Sequence, residues 1–209
     1  MAAPSPSTLR PLLPLIAFSA AYFLAGLVLI LVRQDYEFLV YIGVMGAVAA
    51  LIVHVHRRVN LSLTSLWGMS VWGLLHLAGG LVAVPADWPV EGSRVLYSWW
   101  LIPQALKFDN IVHTYGFGIT TWICWQGMAA SLRSQGLAPR PTLGRLTLAA
   151  AAGQGFGALN EVLEFAVTLI VPNTNVGGYV NTGWDLVCNL LGSLTAVLMI
   201  AWLTPRPRG

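Results

Sequence analysis

The sequence is poor in charged residues: its 209 residues include only 11 Lys or Arg and 8 Asp or Glu, together 9%. Soluble globular domains carry about 25% charged residues. Hydrophobic residues instead make up 56% of the chain. This composition excludes an ordinary soluble domain, and it predicts that the partner of the chain is a lipid bilayer. The net charge of +3 is too small, and too dispersed, to predict a nucleic-acid surface.

Cysteine is also scarce, and several common site motifs are missing. Cys124 and Cys188 fall in separate predicted helices, at different depths, so we expect neither a disulfide nor a redox role. The chain has no HExxH zinc motif. Its Gly153, Gly155 and Gly157 lie mid-helix without a following Lys, which excludes a phosphate-binding loop and favours close helix packing.

Six apolar windows are long enough to cross a bilayer, which takes about 20 residues each. We predict an all-α, polytopic bundle that forms one domain over residues 1–209, with helices at about 12–32, 38–55, 63–84, 109–132, 146–171 and 184–203. The first apolar run exceeds the 7–15 residues of a signal-peptide core, so we expect a retained helix. Residues 172–183, rich in Asn and Gly, are predicted to form a turn.

Basic residues orient the predicted bundle. Eight of the eleven would lie on the side of the termini and three on the other, and an excess of Lys and Arg marks cytoplasmic loops. Both termini are therefore predicted to be cytoplasmic. The acidic residues Asp35, Glu37, Asp87 and Glu91 would all lie in outer segments.

Aromatic residues are concentrated between the third and fourth predicted helices. Residues 85–108, here called the Trp-rich segment, contain Trp88, Tyr97, Trp99 and Trp100. Trp and Tyr favour the headgroup level of a bilayer. The segment is therefore predicted to lie along the outer interface, either as a membrane anchor or as a lid over a site.

Half of the eight acidic residues lie within or at the edge of apolar helices, all near the outer side: Asp109, Glu161, Glu164 and Asp185. Each carboxylate in hydrocarbon costs at least ~2.5 kcal/mol, so it should be paired, hydrated or bound to a ligand.

The acidic residues also share helix faces with other polar residues. The i,i+3 and i,i+4 spacings place Asp109 with His113, Glu161 with Glu164, and Asp185 with Asn189. The sequence thus predicts one polar pocket among three helices, made of Asp109, His113, Glu161, Glu164, Asp185 and Asn189.

Three interpretations of this pocket remain open. The first is a divalent metal site with His113, Glu161, Glu164 and Asp185 as ligands, since oxygen-rich ligation with one imidazole suits Mg, Mn, Fe or Zn. The second is metal-free acid–base chemistry between carboxyl groups. The third is a structural cluster whose hydrogen bonds only hold the helices together.

Three strings in the second half of the chain carry a family resemblance: FDNIVH at 108–113, NEVLEF at 160–165 and WDLVCNLLG at 184–192. They resemble the YjdF-type inner-membrane proteins and, more distantly, the VanZ-like superfamily, whose founding member is associated with glycopeptide resistance. The resemblance implies a multi-pass protein of the bacterial inner membrane with a role in the cell envelope. Asn110 departs from it, because the family places a basic residue there.

We therefore predict an outward-facing intramembrane site that binds or acts on a lipid or lipid-linked envelope molecule, as a metal-dependent or acid–base hydrolase or transferase. The N-termini of the fourth and sixth helices would point into it. His113 would be a base or ligand oriented by Asp109, Glu161 and Glu164 would be acids or ligands, and Asp185 with Asn189 would complete the site. The alternatives are a proton- or cation-coupled carrier and a structural membrane protein.

Overall fold

A computed structural model describes residues 10–172 and 174–204. Six long helices dominate it: α1 (Leu13–Arg33), α2 (Tyr36–Val59), α3 (Leu63–Leu81), α4 (Phe108–Ser134), α5 (Leu143–Ile170) and α6 (Tyr179–Leu203). Short 3-10 helices lie at Arg10–Leu12 and Leu96–Ser98, and two strands, β1 (Trp100–Ile102) and β2 (Leu106–Lys107), pair as an antiparallel hairpin. The predicted order of six helices is confirmed, and the hairpin is an addition to the all-α prediction.

Short polar residues set the turns between the first three helices. Asp35 caps α2 by accepting a hydrogen bond from the Phe38 amide at 3.0 Å, and Ser62 caps α3 in the same way. Gln34 and Asn60 end the preceding helices in the left-handed conformation, with φ of 54° and 55°. Caps of this kind satisfy amide and carbonyl groups that a helix end leaves free. They make tight connections, so consecutive helices run antiparallel.

Helix α4 is at the centre of the bundle. It packs most extensively on α6, and also on α5 and α3, while α1 packs on α2 and α3. The Trp-rich segment, the α1–α2 turn and the α5–α6 loop share one end of the bundle, here called the Trp-rich end. The first and last residues of the chain, 1–9 and 205–209, lie outside the described residues, so the cytoplasmic location of the termini stays a prediction.

Glycines allow the central helices to approach closely. A side chain at Gly192 on α6 would overlap the backbone carbonyl of Thr114 on α4, and one at Gly118 would meet the Gly192 oxygen at 3.3 Å. On α5, Gly153 and Gly157 leave room for polar side chains of α4 and α6. Small residues at such contacts are typical of helix packing in membranes. The close packing predicted for the Gly153–Gly157 pair is therefore what the structure has.

The outer surface of the bundle is apolar. Large hydrophobic side chains on several helices are more than half exposed, among them Leu24, Val162, Phe165, Leu198 and Trp202. Among the described residues, three helices are long and apolar enough to cross a membrane by length and composition: Arg10–Arg33, Tyr36–Val59 and Tyr179–Leu203. An apolar surface of this extent marks a lipid-facing or otherwise covered surface.

The predicted helix boundaries hold to within four residues, except at the start of α6. This helix begins at Tyr179 rather than at 184, so the prediction that 172–183 form a turn is wrong for its last five residues. Asn181 explains the difference, because its side chain binds Lys107 and Asp185 and holds the first turn of α6 against α4. The Asn- and Gly-rich composition of residues 172–183 does not predict this tertiary contact.

Candidate functional site

The six predicted site residues lie together on the three central helices. We call this group the acidic cluster: Asp109 and His113 on α4, Glu161 and Glu164 on α5, and Asp185 and Asn189 on α6. The cluster lies toward the Trp-rich end. Four of its members are buried, so their interactions are shielded from solvent: Asp185, Asn189, His113 and Glu161, with 0%, 0%, 6% and 8% exposure.

His113 is the centre of the cluster. Its Nδ1 lies 2.9 Å from Asn189 Oδ1, and since an amide oxygen only accepts, Nδ1 carries the proton and donates it. Its Nε2 faces Asp109 Oδ1 at 3.5 Å. Glu161 Oε1 lies 3.7 Å from Nδ1. The hydrogen bond to Asn189 thus fixes the ring and directs Nε2 toward Asp109.

Asp185 is held on one side only. Its Oδ2 accepts a hydrogen bond from Asn181 Nδ2 at 2.6 Å, and Asn181 Oδ1 in turn accepts one from the Lys107 ammonium. Lys107 also lies 3.8 Å from the exposed Glu91 carboxylate. The other oxygen of Asp185, Oδ1, is buried without a hydrogen-bond partner. The positive charge of Lys107 therefore reaches Asp185 only through an amide.

The two glutamates of α5 differ in their surroundings. Glu164 Oε1 accepts a hydrogen bond from Asn160 Nδ2 at 2.8 Å. Both carboxylate oxygens of Glu161 are buried without a hydrogen-bond partner. Buried polar groups are nearly always satisfied, and each exception calls for an explanation such as an ion or a catalytic role. Glu161 and Asp185 are such exceptions.

The potential metal ligands fall into two overlapping groups that share His113. One consists of Asp109, His113 and Asp185, and the other of His113, Glu161 and Glu164; within each group the ligand atoms lie within 4.8 Å of one another. The four ligands predicted from the sequence are therefore divided between the groups, and Asp109 joins Asp185. One imidazole with two or more carboxylates is a ligand set for Mg, Mn, Fe or Zn.

Helix dipoles compensate the negative charge less than predicted. Asp109 lies in the first turn of α4, where the partial positive charge of the helix N-terminus stabilises a carboxylate. Helix α6, however, begins at Tyr179, six residues and about 9 Å before Asp185. The prediction that two helix N-termini point into the site is thus wrong for α6, since the dipole effect is confined to the first turn.

The sequence did not predict which residues outside the three central helices turn into the bundle. Tyr97 of the Trp-rich segment turns into the bundle, where its ring meets Gly79 and its hydroxyl lies 2.5 Å from His76 Nδ1. Burial raises the pKa of the Tyr97 phenol well above its ordinary value, so the hydroxyl is protonated and donates to His76. An aromatic residue among several interfacial ones gave no signal of which would point inward.

Glu37 is a second residue whose role the sequence did not predict. It is only 4% exposed, although its position in an outer turn favours exposure. Its Oε2 accepts hydrogen bonds from the Asn175 amide at 2.8 Å and from Asn175 Nδ2 at 3.2 Å. Glu37 therefore ties the α5–α6 loop to the start of α2, at the Trp-rich end.

On the opposite side, the cluster is closed by packing. Thr121 Oγ1 donates to Ser193 Oγ at 3.0 Å, and beyond this pair Trp125, Ala149 and Ile200 form a buried apolar cluster. The polar interior therefore ends about halfway along the bundle. Cys124 and Cys188 are both free cysteines.

No curated protein and no solved structure matches the chain. One family model, described as predicted membrane protein (DUF2238), matches residues 14–206. The match covers the whole acidic cluster and all six helices apart from Leu13, the first residue of α1. It agrees with the apolar helices and the apolar surface of the bundle. The chain belongs to this family of predicted membrane proteins.

Proposed function

We propose that the protein is a six-span protein of the bacterial inner membrane whose acidic cluster binds a divalent metal ion and acts, from the outer side, on a lipid or lipid-linked envelope molecule. The observation that carries this proposal is the set of buried carboxylate oxygens without partners, on Glu161 and Asp185. Four acids in the cluster face one imidazole and one indirectly linked ammonium. Buried charges that are not paired typically coordinate a metal.

Of the two ligand groups, Asp109, His113 and Asp185 are better suited to hold the ion. Metal-bound histidines commonly donate their other ring N–H to an oxygen acceptor, and His113 Nδ1 donates to Asn189 Oδ1. That leaves Nε2 for the metal. The 3.5 Å between Nε2 and Asp109 Oδ1 is long for a hydrogen bond, and at this separation both atoms could be ligands of one ion.

Glu161 is then available for proton transfer. Its two oxygens have no partner and it lies on the opposite side of His113 from Asp109. The reaction class that fits is hydrolysis or group transfer at an ester or phosphate. Glu161 would accept the proton of the attacking water or alcohol, and that proton would return to the departing oxygen. The bound metal would supply a Lewis acid.

The two alternatives fit the structure less well. A carrier needs a polar path through the bundle, and the apolar cluster of Trp125, Ala149 and Ile200 occupies that path. A structural cluster needs satisfied hydrogen bonds, since a half-satisfied buried network destabilises a fold. The resemblance to VanZ-like proteins supports an envelope substrate.

Metal binding by purified protein tests the proposal. After EDTA treatment and dialysis, titration with Mn²⁺ followed by electron paramagnetic resonance should show a single tightly bound ion per chain. His113→Gln should lose it, Glu161→Gln should keep it, and the exposed control Glu91→Gln should bind like the wild type.

A cellular assay tests the reaction itself. Glu161→Gln should fail to complement an envelope-stress or glycopeptide-sensitivity phenotype at normal expression, while the Glu91→Gln control should complement it. Wild-type protein that binds no Mn²⁺ would refute the metal site. Full complementation by both Glu161→Gln and His113→Gln would leave only a structural role for the cluster.

A further inference from the structure

A cavity of about 730 Å³ lies between α3, α4 and α6, on the side of α4 away from α5. Its volume is within the roughly 300–1,000 Å³ of ligand pockets. We call it the α4 groove. It starts at Leu106 and Asn110, at the Trp-rich end, and passes Trp122 toward Leu203 at the opposite end. From Asn110 to Trp122 alone it follows α4 for about 18 Å, so it lies within the hydrocarbon layer if α4 spans the membrane.

Two hydroxyl groups that line the groove are hydrogen-bonded within the protein. The Tyr115 hydroxyl donates to the Gly68 carbonyl at 3.1 Å, and Thr195 Oγ1 donates to the Leu191 carbonyl at 2.8 Å. The wall therefore presents carbon atoms. Its floor has no side chains at Gly118 and Gly192, where α4 and α6 touch.

The groove is polar only where it approaches the acidic cluster. Asn110 Oδ1 accepts a hydrogen bond from the Lys107 amide at 2.9 Å, whereas Asn110 Nδ2 is buried without a partner. Asn110 directly follows Asp109 of the cluster on α4. A long apolar channel that ends at a free donor matches an amphiphile, with a hydrocarbon chain below and an oxygen-bearing headgroup above.

We infer that the α4 groove binds one unbranched acyl chain of a phospholipid, whose headgroup oxygen accepts a hydrogen bond from Asn110 beside the acidic cluster. This inference rests on the proposed function and names its substrate class. A phospholipid is favoured over an isoprenoid because the floor at Gly118 and Gly192 has no side chains between which methyl branches could pack, and an acyl chain has no such branches. It is favoured over a second copy of the chain because the groove borders a surface of exposed side chains such as Ile111, Thr195 and Met199, which lipid would cover.

Filling the groove tests the inference. Thr195 is exposed and lines the groove, so Thr195→Trp should occupy the space of the chain without disturbing the core. Leu198→Trp is the matched control, because Leu198 is 70% exposed on the same helix but outside the groove. The probe is phosphatidylglycerol with a photoreactive diazirine on one acyl chain, added to delipidated protein in detergent.

Native mass spectrometry and peptide mapping then give the result. The wild type and Leu198→Trp should each retain one phospholipid and be labelled on α4 and α6 in the groove, and Thr195→Trp should lose both. Equal retention by the two tryptophan variants would overturn the inference. So would displacement of the probe by a polyprenyl phosphate, or a dimer that only Thr195→Trp dissociates.

The same samples separate this inference from the proposed function. Asp185→Asn removes a proposed metal ligand that does not line the groove, so it should lose Mn²⁺ and keep the phospholipid. If Thr195→Trp loses the lipid and the wild type binds no Mn²⁺, lipid binding in the groove is supported and the metal site is refuted. Mn²⁺ binding together with equal lipid retention in the two tryptophan variants would support the metal site and refute lipid binding in the groove.

Discussion

Replacement of Asp185 by Asn should change stability in opposite directions with and without metal. Asp185 is fully buried, and only one of its oxygens is hydrogen-bonded, to Asn181 at 2.6 Å. An Asn at this position keeps an oxygen for that bond and removes the negative charge. Without metal, Asp185→Asn should therefore be more stable than the wild type. With metal, it should lack the stabilisation that a lost ligand would have provided.

The size of both effects can be worked out. A carboxylate at the centre of a membrane helix costs about 2.5–3.5 kcal/mol, and replacing buried ions by neutral groups often stabilises by about 1–4 kcal/mol. We take about 2 kcal/mol, which for a chain of this size is roughly 4–8 °C in Tm. Mn²⁺ at one hundred times its Kd stabilises the wild type by about 2.7 kcal/mol, roughly 5–11 °C.

Thermal unfolding in detergent, with EDTA or with excess Mn²⁺, measures both terms in one experiment. The wild type should gain Tm on adding Mn²⁺ and Asp185→Asn should not, so their order of stability reverses. Glu91→Gln is the control, because the Glu91 side chain is 63% exposed; it should follow the wild type. If Asp185→Asn is less stable than the wild type in EDTA, and neither protein responds to Mn²⁺, the reasoning is refuted and Asp185 is a structural acid.

Two further predictions concern the fold. Gly192→Ala should destabilise the protein by about 1–3 kcal/mol, because the added methyl group overpacks the α4–α6 contact. Gly183→Ala on the same helix is the control: its methyl group meets no atom within 4 Å, so the variant should be neutral or stabilising. Equal Tm values of the two variants in detergent would contradict the close contact. In a cysteine-free background, a membrane-impermeant thiol reagent added to intact cells should label Ser93→Cys but not Ser134→Cys, and the reverse pattern would overturn the predicted orientation.

The composition of the site could be predicted because charge is so rare in this chain. An acid inside an apolar helix is conspicuous, and i,i+3 and i,i+4 spacing places two polar residues on one face. Together these two rules select His113 and the polar residues of α4, α5 and α6 as members of one site. They do not define which carboxylates lie within ligand distance of one another around His113, because that depends on the rotation and depth of each helix. The division into two ligand groups therefore follows only from the three-dimensional structure.

The errors have a common physical origin in long-range polar contacts. The start of α6 was predicted five residues late because Asn181 reads locally as a turn residue, while its side chain binds Lys107, 74 positions earlier. Glu37 was predicted only to lie in an outer segment, and its hydrogen bond to Asn175, across 138 positions, was not predicted. In both cases an uncharged Asn side chain binds a residue far away in the chain. One such contact extends α6 at its start, and the other buries Glu37. Hydrophobic periodicity contains no information about such pairs.

The distribution of satisfied and unsatisfied polar groups is the strongest reason to regard the acidic cluster as a working site. Two charged side chains outside the cluster are satisfied within the described residues: Arg33 donates to the Leu81 carbonyl at 2.7 Å, and Glu37 accepts two hydrogen bonds from Asn175. At Glu161 and Asp185 it leaves carboxylate oxygens bare. Natural sequences tend to break the rules of polar satisfaction at functional sites and compensate for the cost elsewhere. In this bundle the close α4–α6 packing offsets the cost of the unpaired carboxylates, because it holds the two helices that carry His113 and Asp185 in fixed register.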